Sequence, residues 1–137
     1  MREILFRGKN KENGEWVYGF YYVSRCKSEK FHFIWTDSCN NLRAAVHPET
    51  VGQYTGLTDK NGCGIFEGDI IKHHDDYTPA ELIFKVIYED AGFFVRGDNT
   101  TPHLHTALST VIAEKARIIG CIHDNPELLG GGGDDQA

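Results

Sequence analysis

Trp16-Val17-Tyr18-Gly19-Phe20-Tyr21-Tyr22-Val23 is the stretch of the sequence that decides the fold. Aromatic residues recur in it at every second position: Trp16, Tyr18, Phe20 and Tyr22. Because side chains alternate between the two sides of a β-strand, this spacing predicts a strand with four rings on one side, about 6.8 Å apart. Asn13-Gly14, just before the stretch, is a strong signal for a turn that leads into the strand.

Runs of apolar and β-branched residues predict further strands on both sides of this one. They cover residues 4–7, 31–36, 51–55, 65–72, 81–88, 93–95 and 118–122. Gly68-Asp69 interrupts one of these runs. A glycine there is typical of a bulge or a corner, and we expect the Asp69 carboxylate to accept a nearby backbone N–H. We therefore predict a mainly β protein with sharp internal bends.

Two segments predict helical structure. Residues 102–115 carry apolar side chains at helical spacing, and Thr101-Pro102 suits a capped helix start. The apolar positions are Leu104, Ala107, Leu108, Val111 and Ile112. Val111 and Ile112 could instead open a strand. Residues 124–129, with Pro126 near their start, predict a short helical turn close to the C-terminus.

The length and composition favour one globular domain. The chain has 137 residues, of which 40% are hydrophobic and 25% charged. We predict a single domain over residues 1–129 and a flexible, glycine-rich and acidic tail over 130–137. The predicted core consists of Ile4, Phe6, Trp16, Tyr18, Phe20, Tyr54, Ile65, Ile70, Phe84, Val86 and Ile119.

Charge and cysteine usage limit the classes of function. The net charge is −6 and the basic residues are scattered, which counts against a general nucleic-acid-binding protein. The cysteines are Cys26, Cys39, Cys63 and Cys121, whose spacing does not suit a zinc ribbon, so we expect free thiols. Residues 1–7 lack the apolar core of a signal peptide, and no apolar run has the length of a membrane helix. We therefore expect the cytoplasm of a host cell and no membrane partner.

Three segments resemble the YopX family of phage and prophage proteins. The first runs from Arg2-Glu3-Ile4-Leu5-Phe6-Arg7-Gly8-Lys9 to Asn13-Gly14-Glu15-Trp16-Val17-Tyr18-Gly19. The second is residues 48–72, including VGQYTGLTDKNGCGIFEGDIIK, and the third is residues 118–129, IIGCIHDNPELL. Residues 23–45 and 73–117 match less closely, and Cys63-Gly64 stands where charged residues are more usual. The resemblance implies a small SH3-like barrel with added strands, a phage origin, no assigned biochemical function and no catalytic residues to carry over.

Histidines are the first candidates for a chemical site. His73, His74 and Asp75 lie in a row, and His103 and His105 form a His-x-His pair; imidazole and carboxylate together can bind a metal. Adjacent residues in a loop seldom all point inward, however, and 103–105 resembles a helix start rather than a strand. We favour solvated loop residues at all five positions and predict no metal, no cofactor and no catalytic residue.

The aromatic stripe gives the main alternative to a purely structural interpretation. Buried, Trp16, Tyr18, Phe20 and Tyr22 would form the core or an oligomer interface, a burial worth about 1.5–3 kcal/mol per ring. Exposed, they would bind a partner or stack nucleic-acid bases. The leading hypothesis is a non-enzymatic phage accessory module that binds a phage or host protein or copies of itself. The second is a nucleic-acid-binding barrel that adds Arg7, Lys9, Lys11 and Arg25, and the third a metal-dependent enzyme built on the histidines and aspartates.

Overall fold

The computed structural model describes residues 3–36, 43–74 and 79–130. The strands in this part of the chain are β1 (Phe6–Lys9), β2 (Trp16–Cys26), β3 (Glu29–Thr36), β4 (Arg43–Ala45), β5 (Gly52–Thr58), β6 (Gly64–Phe66), β7 (Asp69–His74), β8 (Glu81–Glu89), β9 (Gly92–Gly97), β10 (His105–Ala107) and β11 (Ala116–Cys121). Within these described ranges there is one short helix, α1 (Thr110–Glu114), and there are single 3-10 turns at Pro48–Thr50 and Pro126–Leu129. The prediction of a mainly β protein is confirmed.

The strands form two antiparallel sheets. The first has the order β4-β3-β2-β1-β5-β6 and the second the order β10-β9-β8-β7-β11. In neither sheet do the first and last described strands pair with each other, so both sheets are open. The closed SH3-like barrel is therefore not confirmed.

The chain divides into two compact units, Met1–Tyr54 and Thr55–Ala137. β5 crosses this boundary, pairing with β1 through Gly52 and Gln53. The single domain over residues 1–129 stays a prediction. Residues 131–137 of the predicted tail lie outside the described part of the chain.

The first unit is organised by the long hairpin of β2 and β3. Eight residue pairs join the two strands, from Gly19–Thr36 to Cys26–Glu29. On one side of this sheet Ile34 and Val46 are fully buried. Gly8 of β1 lies against them, since a Cβ added there would be 3.2 Å from both side chains. That side of the sheet is therefore the packed one.

The second unit has a continuous apolar core. Its buried members are Ile65, Ile71, Phe84, Val86, Val95, Ala113 and Ala116. The predicted core residues Ile65, Ile70, Phe84 and Val86 are all buried. Period-two patterns in β7, β8 and β9 supply most of this core, because every second side chain of a strand points to the same side.

The helix predicted over residues 102–115 is replaced by a strand and a shorter helix. Gly97 N–H donates to the Leu104 carbonyl and Leu108 N–H to the Phe93 carbonyl, so this segment pairs with β9 as β10. Only Thr110–Glu114 is helical, after Ser109 rather than Thr101. Leu104, Leu108 and Ile112 still pack on the core, but Val111 is 67% exposed. Sheet pairing has outweighed helical periodicity.

Three of the predicted core residues are on the surface. Ile4 is 52% exposed, Tyr18 46% and Phe20 63%. The sequence pattern predicted correctly which side chains share a side of the strand. It did not show which of the two sides is packed. Ile34 and Val46, absent from the predicted core, take that role in the first unit.

Asp59 ties a loop of the second unit to β11. Its carboxylate accepts N–H groups from Asn61 and Cys63, each at 2.9 Å, and from Ile118 at 3.0 Å. Burial raises the pKa of Asp59, but these three backbone hydrogen bonds and nearby Lys60 outweigh burial, so the pKa lies below its ordinary value. Asp69 behaves as predicted, accepting the Phe66 N–H at 2.7 Å.

The hydrogen bonds to Asp59 predict pH-dependent stability. A depressed folded-state pKa stabilises the fold above the unfolded pKa, and this contribution is lost as pH falls through the folded value. We expect Asp59→Asn to lower the free energy of unfolding by about 1–3 kcal/mol at pH 7 and by less below pH 4. Urea denaturation at several pH values measures this. Glu114→Gln, at an exposed position, is the control; a pH-independent loss in Asp59→Asn would contradict the role of its charge.

Gly97 is predicted to tolerate no side chain. A Cβ at this position would lie 2.0 Å from the Thr101 carbonyl oxygen, whereas one at Gly92 in the same strand meets only Phe94 at 3.5 Å. We expect Gly97→Ala to lower the free energy of unfolding by about 1–3 kcal/mol. Gly92→Ala should stay close to the wild type in the same urea titration. Equal effects of the two substitutions would show that the close approach at Gly97 is not limiting.

Candidate binding surface

One side of the first unit is covered with aromatic rings. Opposed residues of an antiparallel pair lie on the same side, and the register of β1–β4 pairs Lys9 with Trp16, Phe20 with Trp35, and Tyr22 with Phe33. We call this surface the aromatic face. It consists of Arg7, Lys9, Trp16, Tyr18, Phe20, Tyr22, Phe31, Phe33, Trp35 and Arg43.

The aromatic face is opposite the packed side of the sheet, and four of its rings are exposed, whereas Arg7 is buried. Phe20 is 63% exposed, Tyr18 46%, Phe31 42% and Trp35 39%. Trp16, Tyr22 and Phe33 are half-buried. All four residues of the predicted stripe therefore share one side, on which Tyr18 and Phe20 are exposed and Trp16 and Tyr22 are half-buried.

Stacking between strands orders the rings. Tyr22 of β2 stacks on Phe33 with centroids 5.4 Å apart and on Trp35 at 6.2 Å, with interplanar angles of 27° and 20°. Such aromatic pairs contribute about 0.5–1.5 kcal/mol beyond the burial of their area. The rings form a pre-arranged group, so a partner would lose little side-chain entropy on binding them.

Cations lie over the rings at both ends of the aromatic face. The Arg43 guanidinium is 4.4 Å from the Phe33 ring centre, and its Nη1 donates to the Tyr22 hydroxyl at 2.8 Å. At the other end, Arg7 and Lys9 lie 4.6 and 5.5 Å from the Trp16 ring. Cation–π contacts of this kind hold positive charge beside the exposed rings.

The opposite side of β2 carries a different polar pair. The Tyr21 hydroxyl and His32 Nδ1 are 2.6 Å apart and share a hydrogen bond, and burial raises the pKa of Tyr21. Arg25, placed with the aromatic stripe in the nucleic-acid hypothesis, pairs with Lys30 on this side and not with the rings. Lys11 lies in the turn before β2.

The predicted histidine candidates are spread over several places. His73 is half-buried on β7, with its ring in a T-shaped contact with Phe84, and His74 is the exposed residue after it. His103 is exposed in the turn before β10, and Asp75 lies outside the described residues. Within residues 3–36, 43–74 and 79–130, no three His, Cys, Asp or Glu side chains are grouped in a way that could hold a metal.

His105 lies beside the ion pair of Glu89 and Arg96. Contrary to the predicted helix start, it lies on β10, stacked on Phe94 with ring centres 5.0 Å apart. Glu89 Oε1 lies 3.2 Å from His105 Nε2 and accepts a hydrogen bond from Arg96 Nη2 at 3.0 Å. These contacts link β8, β9 and β10, which is a structural role.

The sequence pattern did not point to Arg43. It also did not show that the rings of β3 lie beside those of β2. Residues 37–45 appear polar and irregular in sequence, yet 43–45 form the edge strand β4. The alternation of Phe31, Phe33 and Trp35 was the available signal, since a hairpin partner with aromatic alternation places its rings beside those of β2. Only the register shows that they meet.

The free thiols predicted from sequence agree with the described cysteines. Cys26 and Cys63 are exposed and Cys121 is buried, all without disulfides. Cys39 lies outside the described residues. In addition, none of the helices described is long and apolar enough to cross a membrane.

The exposure of the aromatic face predicts that its rings contribute little to stability. We expect Phe20→Ser to change the free energy of unfolding by no more than about 0.5 kcal/mol. Ile34→Ala on the packed side of the same sheet should lower it by about 2–5 kcal/mol. Urea denaturation followed by circular dichroism compares the two; a large loss in Phe20→Ser would place this ring in a core.

Comparisons with known proteins agree with the resemblance seen in the sequence. Protein EF1440 from Enterococcus faecalis has a similar crystal structure, with a TM-score of 0.55 and 24% identity over 94% of this chain and 99% of that one. The crystal structure of yopX from Bacillus subtilis matches with a TM-score of 0.57 and 16% identity, over 90% of this chain and 96% of that one. No curated protein matches the chain. The family model of the YopX protein matches residues 5–130, and the chain therefore belongs to the YopX family.

Proposed function

We propose that this protein is a non-enzymatic accessory module of a phage or prophage that binds another protein, copies of itself included, through the aromatic face. The observation that carries the proposal is the exposure of the pre-arranged rings, with Phe20 at 63% and Trp35 at 39%. Extended exposed apolar patches on folded proteins mark interaction sites. The phage setting and the host cytoplasm rest on the family resemblance and are part of the proposal.

The composition of the aromatic face supports a protein partner. Tyrosine, tryptophan, phenylalanine and arginine are enriched at the centres of protein interfaces, where lysine and acidic residues are depleted. The aromatic face has seven rings and two arginines but one lysine. Glu29, at the far end of β3, is the acidic residue that the β2–β3 register places on this side.

The arrangement of the rings favours protein over nucleic acid. A base stacks on an open ring face. Here the faces of Tyr22 and Phe33 are engaged with each other and with Trp35 and Arg43, and Arg7 and Lys9 lie over Trp16. Single-stranded nucleic acid is therefore the second candidate, because only part of the surface offers an open ring face.

Loss of two exposed rings tests the proposed function. Wild-type protein immobilised on beads is incubated with lysate of phage-infected cells, and captured proteins are identified by mass spectrometry and purified. We expect Phe20→Ser combined with Trp35→Ser to weaken binding of the purified partner, or self-association, about tenfold or more. Titration calorimetry and sedimentation equilibrium measure these two quantities.

Val111→Ser is the matched control, because Val111 is 67% exposed but belongs to α1 and not to the aromatic face. It should bind as the wild type does. Unchanged binding by the double variant would overturn the proposal. So would tight, salt-sensitive binding to an oligo(dT) of about 15 nucleotides in place of a protein.

A further inference from the structure

The charge of the chain is divided unevenly between its two units. Residues 1–54 contain 8 Lys and Arg and 6 Asp and Glu, a formal charge of +2. Residues 55–137 contain 6 and 14, a formal charge of −8. The aromatic face thus lies in a slightly basic unit, and the negative net charge of the chain comes from the other one. Opposite charges on two surfaces favour their association.

The second unit presents an acidic aromatic tip at the β8–β9 turn. We call Tyr88–Ala91 the hairpin tip. Asp90 and Ala91 have φ values of 51° and 62°, which makes a tight turn of the kind that connects two-residue hairpins. Tyr88 is 51% exposed, and Phe93 packs against its ring edge to face at 5.2 Å. Asp90 is exposed.

The carboxylate of Asp90 is more available to a partner than that of Glu89. Glu89 is engaged with Arg96 and His105 inside its own chain. Tyr88 is also the one aromatic among the strongly exposed large apolar side chains in the described part of the second unit, the other being Val111. An exposed ring next to a carboxylate complements a surface of rings and cations.

We propose that the hairpin tip of a second copy of this chain occupies the aromatic face. This inference rests on the proposed function and names the partner. Tyr88 of one copy packs its ring against Phe20 and Trp35 of the other, and Asp90 pairs with the Arg43 guanidinium. Arginine and carboxylate form the stronger class of charge-assisted hydrogen bonds.

A symmetric contact between two aromatic faces is disfavoured by charge. It would bring Lys9 and Arg43 of one copy against the same cations of the other, and like charges across an interface oppose binding. The contact between tip and face is head-to-tail. After one contact, one copy has a free face and the other a free tip, so further contacts close a ring, the smallest being a reciprocal dimer, or extend an open chain.

Mixing two defective variants tests the head-to-tail contact. The face variant carries Phe20→Ser and Arg43→Glu; the tip variant carries Tyr88→Ser and Asp90→Asn, since asparagine tolerates the positive φ of Asp90. We expect the wild type to assemble in sedimentation velocity and each variant alone to be a monomer. An equimolar mixture should form a dimer and go no further, because a mixed pair has one intact tip and one intact face and their contact leaves only defective surfaces. Retained assembly of either variant alone, or a monomeric mixture, would overturn the inference.

A further variant separates this contact from other surfaces. Val111→Ser with Glu114→Gln changes an exposed apolar and acidic pair on α1 and should assemble as the wild type does. Circular dichroism and the urea midpoint establish that every variant is folded. A wild type that stays monomeric but binds a phage or host protein through Phe20 and Trp35 refutes only the second copy as occupant. If binding of that protein does not depend on Phe20 and Trp35 either, the proposed function is refuted as well.

Discussion

The antiparallel pairing of β2 with β3 is the constraint on which the first unit depends. Eight opposed pairs fix the register, and period two then fixes which side chains share a side. A shift of β3 by one residue would move Ile34 from the packed side to the solvent. It would also move the rings of Phe33 and Trp35 from the solvent to the packed side. The fully buried Ile34 and Val46 make such a shift costly, so the core on one side determines the surface on the other.

Two aspartates show how the second unit holds its irregular segments. Asp59 accepts three backbone N–H groups, one of them from β11, and Asp69 accepts the N–H of Phe66 across the bend between β6 and β7. Buried backbone donors need partners, and these carboxylates supply them where no strand does. Asp59 and Asp69 thus have structural roles. This agrees with a protein whose described histidines and carboxylates do not converge on a common site.

The aromatic face and the charge distribution together change how the composition is interpreted. A net charge of −6 counts against an anionic ligand for the chain as a whole, but residues 1–54 carry +2. Part of that positive charge is held within the aromatic face by cation–π contacts, such as that of Arg43 over Phe33. The result is a surface of mixed aromatic and cationic character, and this composition is why we propose a protein partner rather than a nucleic acid.

The sequence by itself determined the strand class, most strand positions, the turn at Asn13-Gly14, the bend at Gly68-Asp69 and the family. These features depend on local periodicity and on turn residues, which act over a few positions. Only the tertiary structure decided that Tyr18 and Phe20 are exposed while Ile34 is buried, because alternation defines two sides of a strand without saying which one packs. It also decided that His105 joins a strand, since pairing with β9 satisfies backbone groups that a helix would have satisfied differently. Finally, it decided that Arg43 meets Phe33, since that contact depends on the register between β3 and β4.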